Sequence, residues 1–125
     1  MDFKETRSIY KQIAESICDR IISGVLNPGD RVESVRDLAS KIGVNQNTIL
    51  KTYIDLQQSG IIENQRGIGY FVTEKARDVI KSQRINEFYD TVLPEFIKQA
   101  SLLQLSKEDV LPFLNQLNHS KHESK

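Results

Sequence analysis

Asn45, Gln46, Asn47 and Thr48 follow one another, and Lys51 comes one helical turn after Asn47. Amides, a hydroxyl and a cation in that order break no bonds; they donate and accept hydrogen bonds. An amide tip can pair in bidentate fashion with the adenine edge, and a lysine can reach guanine or a phosphate. Gln46, Asn47 and Lys51 are therefore expected to read the sequence of a double helix. Thr48, and Ser34 at an earlier helix start, suit phosphate oxygens, while Arg36 reaches either phosphate or base. Arg66 beside Gly67 sets a long cation on a loop whose backbone can approach closely, which suits minor-groove insertion.

These groups act together only if a scaffold presents them together. From Ser8 to Ser23 the residues Ile9, Tyr10, Ile13, Ala14, Ile17, Ile21 and Ile22 recur at three- and four-residue steps, the mark of an amphipathic helix. Asn27-Pro28-Gly29-Asp30 reads as a turn leading to a very short strand at Arg31-Val32. Ser34 is expected to cap a helix from Val35 to Ile42, with Asp37 completing a weak capping box. Gly43 ends that helix, Val44 links, and Asn45 caps a third from Gln46 to about Gln58. Two helices across a three-residue turn containing glycine have helix-turn-helix spacing. On the third helix Ile49, Thr52, Tyr53 and Leu56 share one side; Asn47, Leu50, Lys51, Ile54 and Gln58 share the other. After Gly60, Ile61 to Asn64 and Tyr70 to Val72 flank a loop at residues 65–69, a hairpin and candidate wing.

A different pattern follows. Thr73 is expected to cap a helix from Glu74, along which Ala76, Val79, Ile80, Phe88, Tyr89, Val92, Leu93, Phe96, Ile97 and Ala100 form one long stripe. Pro94 should kink or divide it near Asp90. Ser106 caps a last helix, Lys107 to about Leu117, with Val110, Leu111, Leu114 and Leu117 on one side and Pro112 expected to bend it. A protruding face made of Phe88, Tyr89, Val92, Phe96 and Ile97, with Leu111 and Leu114, has little to cover it and is expected to bury itself in a homodimer; an intramolecular core is the alternative. The expected organisation is a winged domain over 1–73, a helical dimerisation region over 74–118 and a polar tail over 119–125.

Composition limits the rest. The 125 residues hold at most one compact domain with an appendage, which excludes a large two-domain enzyme. The 17 Lys and Arg balance 17 Asp and Glu, whereas a DNA-binding domain is often strongly basic, so any such function must come from where the charges sit. One cysteine permits no internal disulfide, which fits a reducing cytoplasm. Cys18 reads as a small hydrophobe, with a redox-sensing thiol as the alternative. His119, His122 and Glu123 could hold a metal weakly, but neither a metal nor another cofactor is expected. No apolar run approaches a membrane span, and no signal peptide opens the chain. No Ser-His-Asp set, Cys-His pair or phosphate-cradling loop can be assembled, so no enzyme is expected.

The run from Ile9 to Val72 resembles the DNA-binding domain of the GntR family of bacterial transcription regulators. The likeness is carried by Ile9-Tyr10, Ile21-Ile22-Ser23-Gly24, Asn27-Pro28-Gly29-Asp30-Arg31 and Ser34-Val35-Arg36-Asp37-Leu38-Ala39. It continues through Gly43-Val44-Asn45, Asn47-Thr48, Tyr53, Leu56, Gly60-Ile61-Ile62 and Arg66-Gly67-Ile68-Gly69-Tyr70-Phe71-Val72. The resemblance implies a winged helix-turn-helix within an α+β, mostly α, fold, and DNA contact at Arg36, Asn45 to Thr48, Lys51, Arg66 and Gly67. The short C-terminal part is similar to the YtrA-type subfamily, which implies a helical dimerisation tail, repression of an inverted-repeat operator, and regulated genes such as those of ABC transporters or stress response. So short a tail leaves little room for a ligand pocket within one protomer, so an effector is expected between subunits or not at all.

Three positions depart from the family pattern. Glu33 stands where proline is usual and puts a negative charge close to the phosphate path. Gln46 stands where arginine or proline is usual, which shifts the expected preference toward adenine. Leu50 stands where a polar residue is frequent, and either contacts a thymine methyl or packs on a neighbour. The competing reading of the whole is a winged-helix protein-interaction module that does not bind DNA.

Overall fold

The computed structural model describes residues 2–118, with side chains from residue 9; His119, His122 and Glu123 lie outside this range. Its elements are α1 (Asp2–Ile22), β1 (Arg31–Val32), α2 (Val35–Ile42), α3 (Gln46–Gln58), β2 (Ile62–Gln65), β3 (Gly69–Val72), α4 (Ala76–Glu87), a π-helical segment (Phe88–Val92), α5 (Leu93–Leu102) and α6 (Lys107–Leu114). They fall into two compact units that divide between Arg84 and Ile85.

The first unit owns the buried core. Ile13, Ile17 and Ile21 of α1 meet Leu38 and Ala39 of α2 and Ile49, Tyr53 and Leu56 of α3, each set spaced at helical steps so that one face turns inward. Val32, Ile61, Ile62 and Val72 bring the sheet into the same cluster. The sheet is antiparallel in the order β1-β3-β2, with Val32 opposite Tyr70 and Ile62 opposite Val72. Ala76 and Ile80 of α4 are also buried in this core. That is why the first unit extends to Arg84, past the sequence-based boundary at residue 73. Arg77 donates to the carbonyl of Ile21 at the end of α1, and Arg84 pairs with Asp19 at 2.8 Å.

Two details differ from expectation at the start of α4. Thr73 does not cap it, because its hydroxyl donates to the Gly60 carbonyl at 2.6 Å and ties the end of β3 back to the turn after α3. The helix then opens only at Ala76. Cys18 is buried and its thiol pKa is raised by desolvation, which suits the small hydrophobe reading.

The second unit is helical and open. None of its described residues is buried, and Phe88, Tyr89, Val92, Phe96, Ile97, Leu111 and Leu114 are all exposed. Pro94 has its effect one turn earlier: lacking an N–H to give to Asp90, it follows the π-helical turn Phe88–Val92, where the Leu93 N–H bonds to the Phe88 carbonyl. α5 ends with Gln104 at φ 58° and the Leu105 N–H bonded to the Ala100 carbonyl. This wrapped-back helix end usually takes glycine at the left-handed position. Ser106 and Asp109 close a reciprocal capping box at the start of α6. The helix passes through Pro112 and stops at Leu114, short of the expected Leu117.

Candidate nucleic-acid interface

Each helix start at the candidate site is capped by its own side chain. Ser34 Oγ accepts from the Asp37 N–H at 3.0 Å, and Asn45 Oδ1 accepts from the Asn47 N–H at 2.7 Å. Both caps use acceptor capacity only, so the Ser34 hydroxyl proton and the Asn45 NH2 group still have donors to offer a phosphate. Gly43 takes φ 70° at the end of α2, a conformation that an L residue adopts only with strain, and this sets the turn that leads into α3.

On α3 the two sides are sharply divided. Ile49, Thr52, Tyr53 and Leu56 are buried, while Gln46, Asn47, Leu50, Lys51, Ile54 and Gln58 are exposed. The buried Thr52 hydroxyl is satisfied by the Thr48 carbonyl at 2.9 Å. Thr48 is itself half-buried; Arg36, Asn45, Arg66 and Gly67 are exposed, and Ser34 is half-buried. Asn47 and Lys51 therefore lie on the side opposite the packing face, while Gln46, two helical turns before Tyr53, is exposed because it opens the helix.

Tyr53 fixes that helix in place. Its ring is fully buried and meets Tyr70 of β3 edge-on at 5.0 Å, and its hydroxyl donates to the Glu33 carbonyl at 2.7 Å. One side chain thus joins α3 to the wing and to the residue that precedes the Ser34 cap. Burial pushes the phenol pKa well above its ordinary value, so the hydroxyl remains a donor at any physiological pH. Sequence periodicity marked Tyr53 as core but gave no sign of this bridging role.

Glu33, the negative charge that precedes the Ser34 cap, is paired within the protein. Its carboxylate receives both Nη atoms of Arg20, at 2.9 and 3.2 Å, and lies 3.7 Å from Lys41 Nζ. The Arg20 hydrogen bonds hold its pKa below the ordinary carboxylate value, against a smaller opposing effect of burial. The charge is thereby answered from within the protein.

The wing is a three-residue loop, Arg66-Gly67-Ile68, closed by the Ile68 N–H on the Gln65 carbonyl at 2.8 Å, with Gly67 at φ 78°. At its base lies a further cation, on β1. Arg31 is exposed, and a Cβ added at Gly69 would sit 2.9 Å from its Nε. Glycine at 69 gives the Arg31 guanidinium its place against the wing backbone. Only the cross-strand register of β1 on β3 could have revealed this.

Among the described residues no group of three or more His, Cys, Asp or Glu side chains could hold a metal ion, and no helix is long and apolar enough to cross a membrane. Residues 9–72 match the family described as bacterial regulatory proteins, gntR family. The chain is 41% identical over 111 residues to the HTH-type transcriptional regulator YhcF of Bacillus subtilis, covering 87% of this chain and 88% of that one. It is 34% identical over 99 residues to the HTH-type transcriptional repressor YtrA of the same organism, covering 79% and 72%. A solved GntR family transcriptional regulator from Listeria monocytogenes superposes with a TM-score of 0.68 at 34% identity, covering 88% of this chain and 95% of that one. With the family match spanning half of the chain, from α1 to the end of β3, and these relatives aligned over most of their length, the chain is a transcriptional regulator that belongs to the GntR family, with YtrA-type regulators among its relatives.

Proposed function

We propose that two copies of this chain bind an inverted-repeat operator in the cytoplasm and repress transcription, each placing α3 in a major-groove half-site and Arg66 of the wing at the neighbouring minor groove. The observation that carries this reading is the exposed surface of α3, with Gln46 at the start of the helix and Asn47 and Lys51 opposite a buried side that holds the helix in place. Ser34, Arg36, Asn45, Thr48 and Gly67, joined by Arg31, serve as backbone contacts. The balanced net charge does not oppose this role, because Glu33, which precedes the Ser34 cap, is paired with Arg20.

Dimerisation is assigned to the second unit, where Phe88, Tyr89, Val92, Phe96, Ile97, Leu111 and Leu114 are exposed together with no buried neighbour of their own. Repression is supported by the name of YtrA, and a role at export or stress genes by the subfamily resemblance alone.

Mobility shifts on DNA from upstream of the chain's own gene, repeated across salt, test the proposal. Arg66→Ala is expected to weaken binding to all sequences and lower the salt slope by about 1 per protomer. Gln46→Ala and Lys51→Ala are expected to relax base preference by about 1–3 kcal/mol per lost bidentate pair. Failure to bind any duplex at low salt would favour the protein-interaction module instead.

A further inference from the structure

On an otherwise polar surface, α3 shows two large apolar side chains. Leu50 and Ile54 are 40% and 41% exposed, whereas Ile49 and Tyr53, one residue earlier in each case, are 0% exposed. Residues four apart lie one above the other on a helix, so this pair forms a short apolar edge. Asn47 stands one turn before Leu50 and two turns before Ile54, and Lys51 lies between Leu50 and Ile54 in sequence. Exposed isoleucine is a poorer helix former than the polar straight-chain residues, so helix stability does not account for it.

We propose that Leu50 and Ile54 read the C5-methyl groups of thymines in the major groove, so that the half-site carries thymine beneath them. The proposal rests on the DNA-binding reading given above and extends it to two residues that make no hydrogen bonds through their side chains. In the major groove the thymine methyl is the one apolar feature that a base pair offers. Opposite a G·C pair, the same side chains would cover donors and acceptors without satisfying them, which is unfavourable. The neighbouring Asn47 is suited to the adenine edge, so the amide and the apolar edge ask for the same kind of base pair. A protein partner fits this face less well, because Lys51, Asn47 and Gln58 surround the pair and charged groups are depleted at the centre of protein interfaces.

The test removes the methyl and nothing else. Duplexes selected by the full-length protein from a random-sequence library are resynthesised with deoxyuridine in place of thymine, and affinities are compared by fluorescence anisotropy. The wild-type protein is expected to lose about fourfold in affinity per contacted methyl, the factor that matches burial of one CH2-sized group. Leu50→Ala and Ile54→Ala should each remove one such factor while still binding the uracil duplex. Both positions are exposed, and circular dichroism will confirm that the variants fold. Equal wild-type affinity for thymine and uracil duplexes overturns the proposal and leaves DNA binding intact. An unchanged thymine-to-uracil ratio in both variants overturns the assignment to these residues. If selection recovers no duplex, DNA binding itself fails and this proposal fails with it.

Discussion

Ile17 and Ile21 in the first unit and Phe96 and Ile97 in the second all belong to helices with apolar stripes, yet the first pair is buried and the second is open to solvent. The stripe on α1 is met by α2, α3 and the sheet, which supply the other walls of one core. In the second unit, residues 85–118 form helices whose apolar side chains outnumber the surfaces available within that unit to cover them. Periodicity alone therefore says that a face will be buried somewhere; the number of packed layers in the same unit decides whether the chain buries it alone.

Matched substitutions sharpen this contrast. Ile21→Ala should cost about 3 kcal/mol in urea denaturation, from lost burial and a residual cavity. Ile97→Ala should change the unfolding of dilute protein by no more than about 0.5 kcal/mol. Comparable losses at the two sites would break the comparison. A charge on the open face is the next largest effect: Phe96→Asp is expected to raise the self-association constant for dissociation by about thirtyfold or more in sedimentation equilibrium, as for an aromatic interface anchor, without lowering the stability of the winged unit.

Smaller effects should remain confined to the first unit. Tyr53→Phe leaves the Glu33 carbonyl without its hydroxyl partner and should cost about 1–2 kcal/mol, with self-association unchanged. Glu33→Gln removes the charge paired with Arg20 and should cost about 1 kcal/mol or less at neutral pH. Because the folded protein holds the Glu33 pKa below its ordinary 4.5, the wild-type advantage is complete above that value. It should shrink as the pH falls through the lower folded value, so that wild type and Glu33→Gln converge in acid denaturation. Divergence toward low pH would show that Arg20 does not stabilise the carboxylate.

Much of the candidate site was legible in the chain because its signals are local. Ser34 before Asp37, Gly43 after Ile42 and Asn45 before Asn47 mark helix ends through bonds that span two or three residues. The two sides of α3 follow from its period, and so does the exposure of Asn47 and Lys51, whereas Gln46 is exposed because it opens the helix. The hairpin was likewise expected, but its first strand is displaced by one residue, to Ile62–Gln65, and its second begins one residue earlier, at Gly69, because the Ile68 N–H on Gln65 sets a three-residue loop. The end of α5 gave no such notice, since Gln104 occupies a position where glycine is the usual sign.

By itself the amino-acid sequence determined which segments are helices and strands, where α2, α3 and α6 are capped, and which family pattern they follow, because each depends on neighbours a few residues away. The tertiary structure alone decided that Glu33 is held by Arg20, thirteen residues distant, that Tyr53 spans from α3 to Glu33 and Tyr70, that Arg31 rests on Gly69, and that the first unit continues to Arg84. Those features arise where segments far apart in the chain meet, and no local spacing rule records which distant group will satisfy a buried polar atom or cover an apolar face.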